Sequence, residues 1–223
     1  MRCGIKIGIF ALLLGLTGLA QAKSDGTGFY VGAQLGLSNT HNKSTQLYTT
    51  DPNTGDKIPV PPNTLSSPSN TGGGFRFYVG DTFTPHFGAE IGYNYFSPSK
   101  YGSPPSPYDK QIPNGASVQE YAVDFDAVAN YRFWDVFGVF GKAGIAVLRE
   151  NLSSSLVNTG QSQNYTTIRP LIAVGVSYNL TDSLMLDLTD MEINGGGKVQ
   201  KISFISFGIS YHAVDPICGQ FLC

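Results

Sequence analysis

Charge is scarce in this chain of 223 residues, where 14 basic and 16 acidic side chains leave a formal net charge of −2. So thin and balanced a set offers no basic stripe for a phosphate backbone, and no nucleic-acid partner is expected. Cysteine is nearly missing too. Cys3 lies in the N-terminal segment, and no cysteine stands directly behind the apolar run that follows it, which speaks against a lipid-anchored thiol. The histidines His41, His86 and His212 do not cluster and show no ligand spacing with the cysteines. No metal site and no cofactor is therefore expected. Past about Leu19 there is no second long apolar run, so the chain cannot cross a membrane as helices, each of which needs about 20 apolar residues. A glycine triplet repeat is also absent, and aromatics are plentiful. Collagen-like and disordered readings both fail on those counts.

What is present starts with the layout of an export signal. Arg2 and Lys6 supply two positive charges, an uncharged run extends from Ile7 to about Leu19, and Ala20-Gln21-Ala22 follows. An A-x-A site behind a short apolar run reads as a secretory signal cleaved between Ala22 and Lys23. The expected organisation is a signal peptide at 1–22, one domain at 23–212 and a short periplasmic tail at 213–223.

From Phe29 onward, segments alternate apolar and polar residues with period two, the mark of strands with two unlike faces. The first, Phe29–Ser38, sets Phe29, Val31, Ala33, Leu35 and Leu37 against Tyr30, Gly32, Gln34, Gly36 and Ser38. The same split recurs in Gly74–Asp81, Phe87–Phe96, Val118–Tyr131, Val136–Leu148, Thr167–Asn179, Leu184–Thr189 and Ile202–His212. Pro170 interrupts the sixth and predicts a bulge, because proline removes a ladder donor. Eight strands result. Their connections alternate between long, polar stretches (Asn39–Thr71, Ser97–Ala116, Glu150–Gln163, Asn194–Gln200) and tight turns at 82–85, 132–134 and 180–183. Short turns at one end with long loops at the other are the asymmetry of a bacterial transmembrane barrel. The expected fold is all-β, an eight-stranded antiparallel up-and-down transmembrane β-barrel. A soluble lipocalin-type barrel would use the same strands with the apolar face inside. Against it stand the small residues mixed with both charge signs on the polar face, which suit a narrow lumen. Tyr93, Tyr95, Tyr121, Tyr131, Tyr178 and Tyr211 fall near strand ends on the apolar face, where interfacial girdles belong.

The stretches Gly28-Phe29-Tyr30-Val31-Gly32, Gly88-Ala89-Glu90-Ile91-Gly92-Tyr93 and Val139-Phe140-Gly141-Lys142-Ala143-Gly144 carry a family resemblance, with Gly175-Val176-Ser177-Tyr178 and Phe207-Gly208-Ile209-Ser210-Tyr211. In their order and spacing the chain resembles the small outer-membrane barrels of the OmpA-type and opacity-protein group. The resemblance implies a place in the bacterial outer membrane, with its lipid and lipopolysaccharide as partners. It also implies exposed loops that contact the surroundings.

An eight-stranded barrel is just wide enough for its own side chains. The inward charges expected there are Arg76, Lys142 and Arg169 against Glu90, Glu120, Asp124, Asp126 and Asp187. Across the hairpins, the turns place Arg76 near Glu90 and Asp124 or Asp126 near Lys142. Arg169 faces no acid across its own hairpin, where Asp187 falls opposite Ser177 or Gly175, and depends on a more distant one. Ser210-Tyr211-His212 is spaced for one strand face but sits at the turn end with no acid to orient the base, so no catalytic residue is expected. Cys218 and Cys223 fit a disulfide closing a tight loop in the tail, in an oxidising compartment, with an intermolecular bridge as the alternative. The loops at 39–71 and 97–116, rich in Ser, Pro, Asn, Thr and Tyr, suit recognition of host surface molecules and equally suit plain shielding. The functional expectation is a non-enzymatic surface barrel for adhesion or host and immune contact. The alternative is passage of small solutes, hydrophobic ones among them.

Overall fold

Alternation of this kind folds only where each strand finds a ladder partner on both edges, and a closed sheet provides that without leaving an edge in lipid. The computed structural model describes residues 27–41, 48–50, 54, 57–59, 69–100, 117–134, 136–153, 163–196 and 200–213. The export signal with its Ala22–Lys23 junction, and Cys218 and Cys223, lie outside the described residues.

The strands are β1 (Gly28–Asn39), β2 (Tyr48–Thr50), β3 (Lys57–Pro59), β4 (Thr71–Thr82), β5 (Phe87–Lys100), β6 (Ser117–Arg132), β7 (Phe137–Ser153), β8 (Gln163–Asn179), β9 (Leu184–Ile193) and β10 (Ile202–His212). Eight of them close a barrel in the order β1-β10-β9-β8-β7-β6-β5-β4, and β2 pairs with β3 as a separate hairpin within the first long connection. Every barrel pairing is antiparallel, and β1 closes the ring by pairing with both β4 and β10.

Threonine fastens two of the turns. The Thr84 hydroxyl accepts from the Phe87 N–H at 3.0 Å, and the Thr181 hydroxyl accepts from the Leu184 N–H, also at 3.0 Å. A hydroxyl that takes backbone donors in this way substitutes for ladder bonds where the chain reverses. Pro170 departs from expectation. The β7–β8 register runs through Ile145↔Pro170 without a shift, so there is no bulge there. The Pro170 carbonyl accepts from the Asn194 N–H just beyond the last β8–β9 pair, Leu171↔Ile193, so its donorless nitrogen faces the point where that ladder stops. The register shift that does occur lies between Phe96 and Ser99, on β5 against β6.

The apolar face points outward. Leu35 and Leu37 are 70% and 68% exposed, and Phe77, Ile168, Val174 and Phe207 are exposed with them. An apolar surface running around the whole ring needs lipid beside it and rules out the lipocalin orientation. Several strands also run past the segments read from the sequence, chiefly at the loop end. β5 reaches Lys100, β7 reaches Ser153, β8 starts at Gln163 and β9 ends at Ile193.

Candidate functional site: a lumen in two tiers

Inward residues in the turn-side half of the barrel form one polar network. Arg76 on β4 is its centre. Its Nη1 lies 2.6 Å from Glu90 Oε1, its Nη2 2.6 Å from Asp124 Oδ1 and 3.2 Å from Asp126 Oδ2, and its Nε donates to Asp124 Oδ2 at 3.3 Å. The guanidinium fork thus grips Asp124 with two bonds and still reaches two further carboxylates, a geometry that its fixed planar donors allow. Lys142 on β7 donates to Glu90 Oε1 at 2.7 Å, and Tyr30 donates to Glu90 Oε2 at 3.0 Å. Asn94 donates to Asp124. Asp187 on β9 is held by neutral donors, Gln34 at 2.6 Å, Thr189 at 2.8 Å and Tyr78 at 3.2 Å. The Tyr78 ring lies under both cations, 5.0 Å from the Arg76 guanidinium carbon and 4.9 Å from Lys142 Nζ.

Glycines leave the room for these side chains. A Cβ at Gly92 would stand 2.6 Å from both Arg76 Nη2 and Asp124 Oδ1, and one at Gly208 would meet Asp187 and Gln34. Inward glycines leave room for a neighbour's bulk, polar at Gly92 and Gly208 and aromatic at Gly175, where a Cβ would meet the Phe140 ring.

The expected pairings divide. Arg76 and Glu90 meet, but not as opposed residues, because Arg76 faces Asn94 across the hairpin and Glu90 faces Gly80. Asp124 and Lys142 are not brought together. Lys142 faces Val128 and Asp124 faces Ala146, and the lysine reaches across β6 to Glu90 on β5. In a lumen this narrow, long side chains skip the adjacent strand and meet its neighbour, so hairpin register alone misplaces them. Arg169 sits at the loop end and donates to the Gly196 carbonyl, and no carboxylate ion-pairs with it among the described residues. Asp187 does lie opposite Ser177. The neutral members Tyr30, Gln34, Tyr78, Asn94 and Thr189 share the inward parity of the charged ones, and that parity was the signal available for them.

Above this network the lumen changes character. Phe96, Leu148, Leu171, Ile193, Ile202 and Phe204 all point inward and are almost wholly buried, packed with Ala122, Ala146, Ala173 and Met191 into one cluster. The Phe96 and Phe204 rings meet edge to face at 5.7 Å. At the same height the outer face turns polar, with Gln119, Arg149, Asn151 and Thr166 in outward positions. The loop-side tier is therefore largely apolar inside, with Glu120 and Glu150 buried opposite each other next to Phe96, and polar outside, and the turn-side tier has the reverse pattern.

Three carboxylates, Glu90, Asp124 and Asp126, bring one oxygen each within 4.8 Å of one another. Arg76 already occupies the space between them, so a metal ion would have to displace a guanidinium. At the turn end a cavity of about 50 Å³ is lined by Tyr30, Tyr78, Glu90, Phe140, Lys142, Asp187 and His212 among others, room for a few water molecules. Ser210 Oγ and His212 Nε2 stand 3.3 Å apart at that mouth, with the Tyr30 ring stacked on the imidazole at 4.9 Å.

Residues 8–212 match the model of a family described as the outer membrane protein beta-barrel domain. Outer membrane protein A of Serratia marcescens is 26% identical over 213 residues, covering 92% of this chain and 55% of that protein. An uncharacterized protein of Coxiella burnetii is 26% identical over 239 residues, covering 92% of this chain and 93% of its own length. The chain thus spans about half the length of the outer membrane protein A relatives it matches. Among solved structures, Neisserial surface protein A superposes with a TM-score of 0.53 at 14% identity, over 86% of this chain and 99% of the other, a likeness of fold.

Proposed function

Given that the chain belongs to the outer membrane protein beta-barrel domain family and is a bacterial outer-membrane protein, we propose that it works as a surface barrel whose loop-end connections contact molecules outside the cell, in adhesion or host and immune interaction. The observation that carries this is the filled lumen. An interlocked ionic network fills the turn-side half, and a largely apolar tier fills the half above it. With the lumen filled by its own side chains, the surface left for function is the set of connections between β1 and β4, β5 and β6, β7 and β8, and β9 and β10. All four leave the barrel at one end. Loops carried on a rigid scaffold are a common location for recognition. Host surface molecules are the proposed partners, and the barrel itself supplies position.

The test is binding of the purified protein to a panel of host cell and matrix surfaces, against protein with 101–116 and 154–162 replaced by short turns. Binding that vanishes with the loops supports contact. Equal binding by both forms, or none by either, counts against it. Solute passage is the second reading, favoured by the small polar cavity at the turn-end mouth. Ion steps in a planar bilayer would support it.

A further inference from the structure

One outward acid stands where the barrel meets lipid. Asp190 on β9 is exposed, and its parity sets it on the outer face with Leu184, Leu186 and Leu188. Its cross-strand neighbours are Val174 on β8 and Ile205 on β10, 64% and 58% exposed. Among the described residues no cation pairs with it. The next outward acid, Glu192, has its own cation in Lys201 at 2.6 Å.

Depth makes this position unusual. At the foot of β9, Leu184 pairs with Tyr211 and Leu186 with Tyr178, so the aromatic girdle of the turn end lies there. A strand tilted by 35–45° and rising about 3.3 Å per residue lifts Asp190 about 14–16 Å above Leu184. The apolar band of such barrels is about 25 Å tall, which puts the carboxyl near its middle. Local thinning of the bilayer does not reach it, because Ile172 and Ile168 carry the exposed apolar surface of β8 well past this level.

An ionised carboxylate facing hydrocarbon is costly, and a group so placed points to a partner. A carboxyl group that carries a proton both donates and accepts, which makes it complementary to a copy of itself. A second copy of this chain lies in the same membrane in the same orientation. A two-fold axis along the membrane normal therefore brings Asp190 against Asp190 at one depth. In lipid, apolar contact between proteins has no advantage over contact with acyl chains, and hydrogen bonds of this kind hold partners together. Leu188, Val174 and Ile205 surround the carboxyl and pack against their counterparts. Above it, the Glu192–Lys201 pair meets its own copy in reversed order, so that plus faces minus across the axis.

We propose that two copies of this chain pair in the outer membrane through the β8–β10 face, with Asp190 of each copy hydrogen-bonded to Asp190 of the other. The pairing does not rest on the contact function. Where both hold, two sets of loop-end connections stand side by side and bind one surface with added avidity.

Purified protein is folded in density-matched micelles, with a thiol reductant to keep Cys218 and Cys223 from bridging copies, and followed by sedimentation equilibrium. The wild type should form a reversible dimer. Asp190→Leu should weaken it roughly tenfold, as loss of a hydrogen-bonded pair implies. Asp190→Asn, whose amide still donates and accepts, should stay within about threefold of the wild type. Leucine suits a lipid-facing position, so that variant should fold, and its gel mobility before and after boiling verifies this. A wild type that stays monomeric at every concentration would overturn the proposal and leave Asp190 to a different protein with a cation at that depth. So would a folded Asp190→Leu form that pairs as tightly as the wild type, or an Asp190→Asn form that separates as fully as the leucine one.

Discussion

Arg76→Met is the perturbation that asks most of the lumen. The guanidinium serves three carboxylates at 2.6, 2.6 and 3.2 Å, and its side chain is 2% exposed. Counting only charged members in mutual contact, Arg76 and Lys142 face Glu90, Asp124 and Asp126, one more acid than cation. Removing Arg76 leaves three acids to one lysine, and the expected loss is about 3–5 kcal/mol, typical of a buried pair broken from one side. Glu90→Gln instead brings the cluster to balance in number: Arg76 keeps both aspartates, while Lys142 loses its carboxylate but keeps an amide oxygen and the Tyr78 and Phe140 rings. It should cost less, about 1–3 kcal/mol. The double variant removes one charge of each sign, and its loss should fall short of the sum by about 1–3 kcal/mol. Arg169→Met with Glu90→Gln is the control. Arg169 bonds to the Gly196 carbonyl rather than to the cluster, so that pair should be additive within about 0.5 kcal/mol. Urea unfolding in lipid vesicles gives the free energies, read from Trp134, the single tryptophan, on an exposed turn position. Additive losses for Arg76 with Glu90, or a greater loss from Glu90→Gln than from Arg76→Met, would refute the reasoning.

Gly92→Val should destabilise by about 1–3 kcal/mol through overpacking against Arg76 and Asp124, and by less in an Arg76→Met background, both measured by urea unfolding. Phe204→Ala should cost about 3–5 kcal/mol by opening a cavity beside Phe96, read from the same unfolding curves. Protein recovered from outer membranes should begin at Lys23, and intact mass spectrometry showing residues before Lys23 would contradict that.

The strands were legible because the turn-side half of each one obeys a single rule, apolar toward lipid and polar toward the lumen. The Ile202–His212 strand has the bounds that its alternation implies. Legibility failed where the rule reverses. Phe96 and Leu148 occupy lumen positions at the ends of their segments, where apolar residues look like the close of a strand rather than the start of a plug. Arg149 and Asn151 on the outer face look like loop for the same reason, so alternation alone ends β7 short of Ser153. The charged members of the lumen could be named from parity, since every second residue faces in. Of their partners only Glu90 for Arg76 could be, because Arg76 also reaches over β5 to Asp124 and Lys142 reaches over β6 to Glu90. That depends on the width of the closed barrel, which no single hairpin contains.

The most direct test of a closed lumen with its function outside is single-channel recording of the purified, folded protein in planar bilayers. Protein whose gel mobility changes on boiling, the sign of a closed barrel, should give a flat current across the voltage range. Discrete, repeated ion steps from that same protein would mean that the network around Arg76 and the tier around Phe204 open together, and the lumen would have to be read as a path.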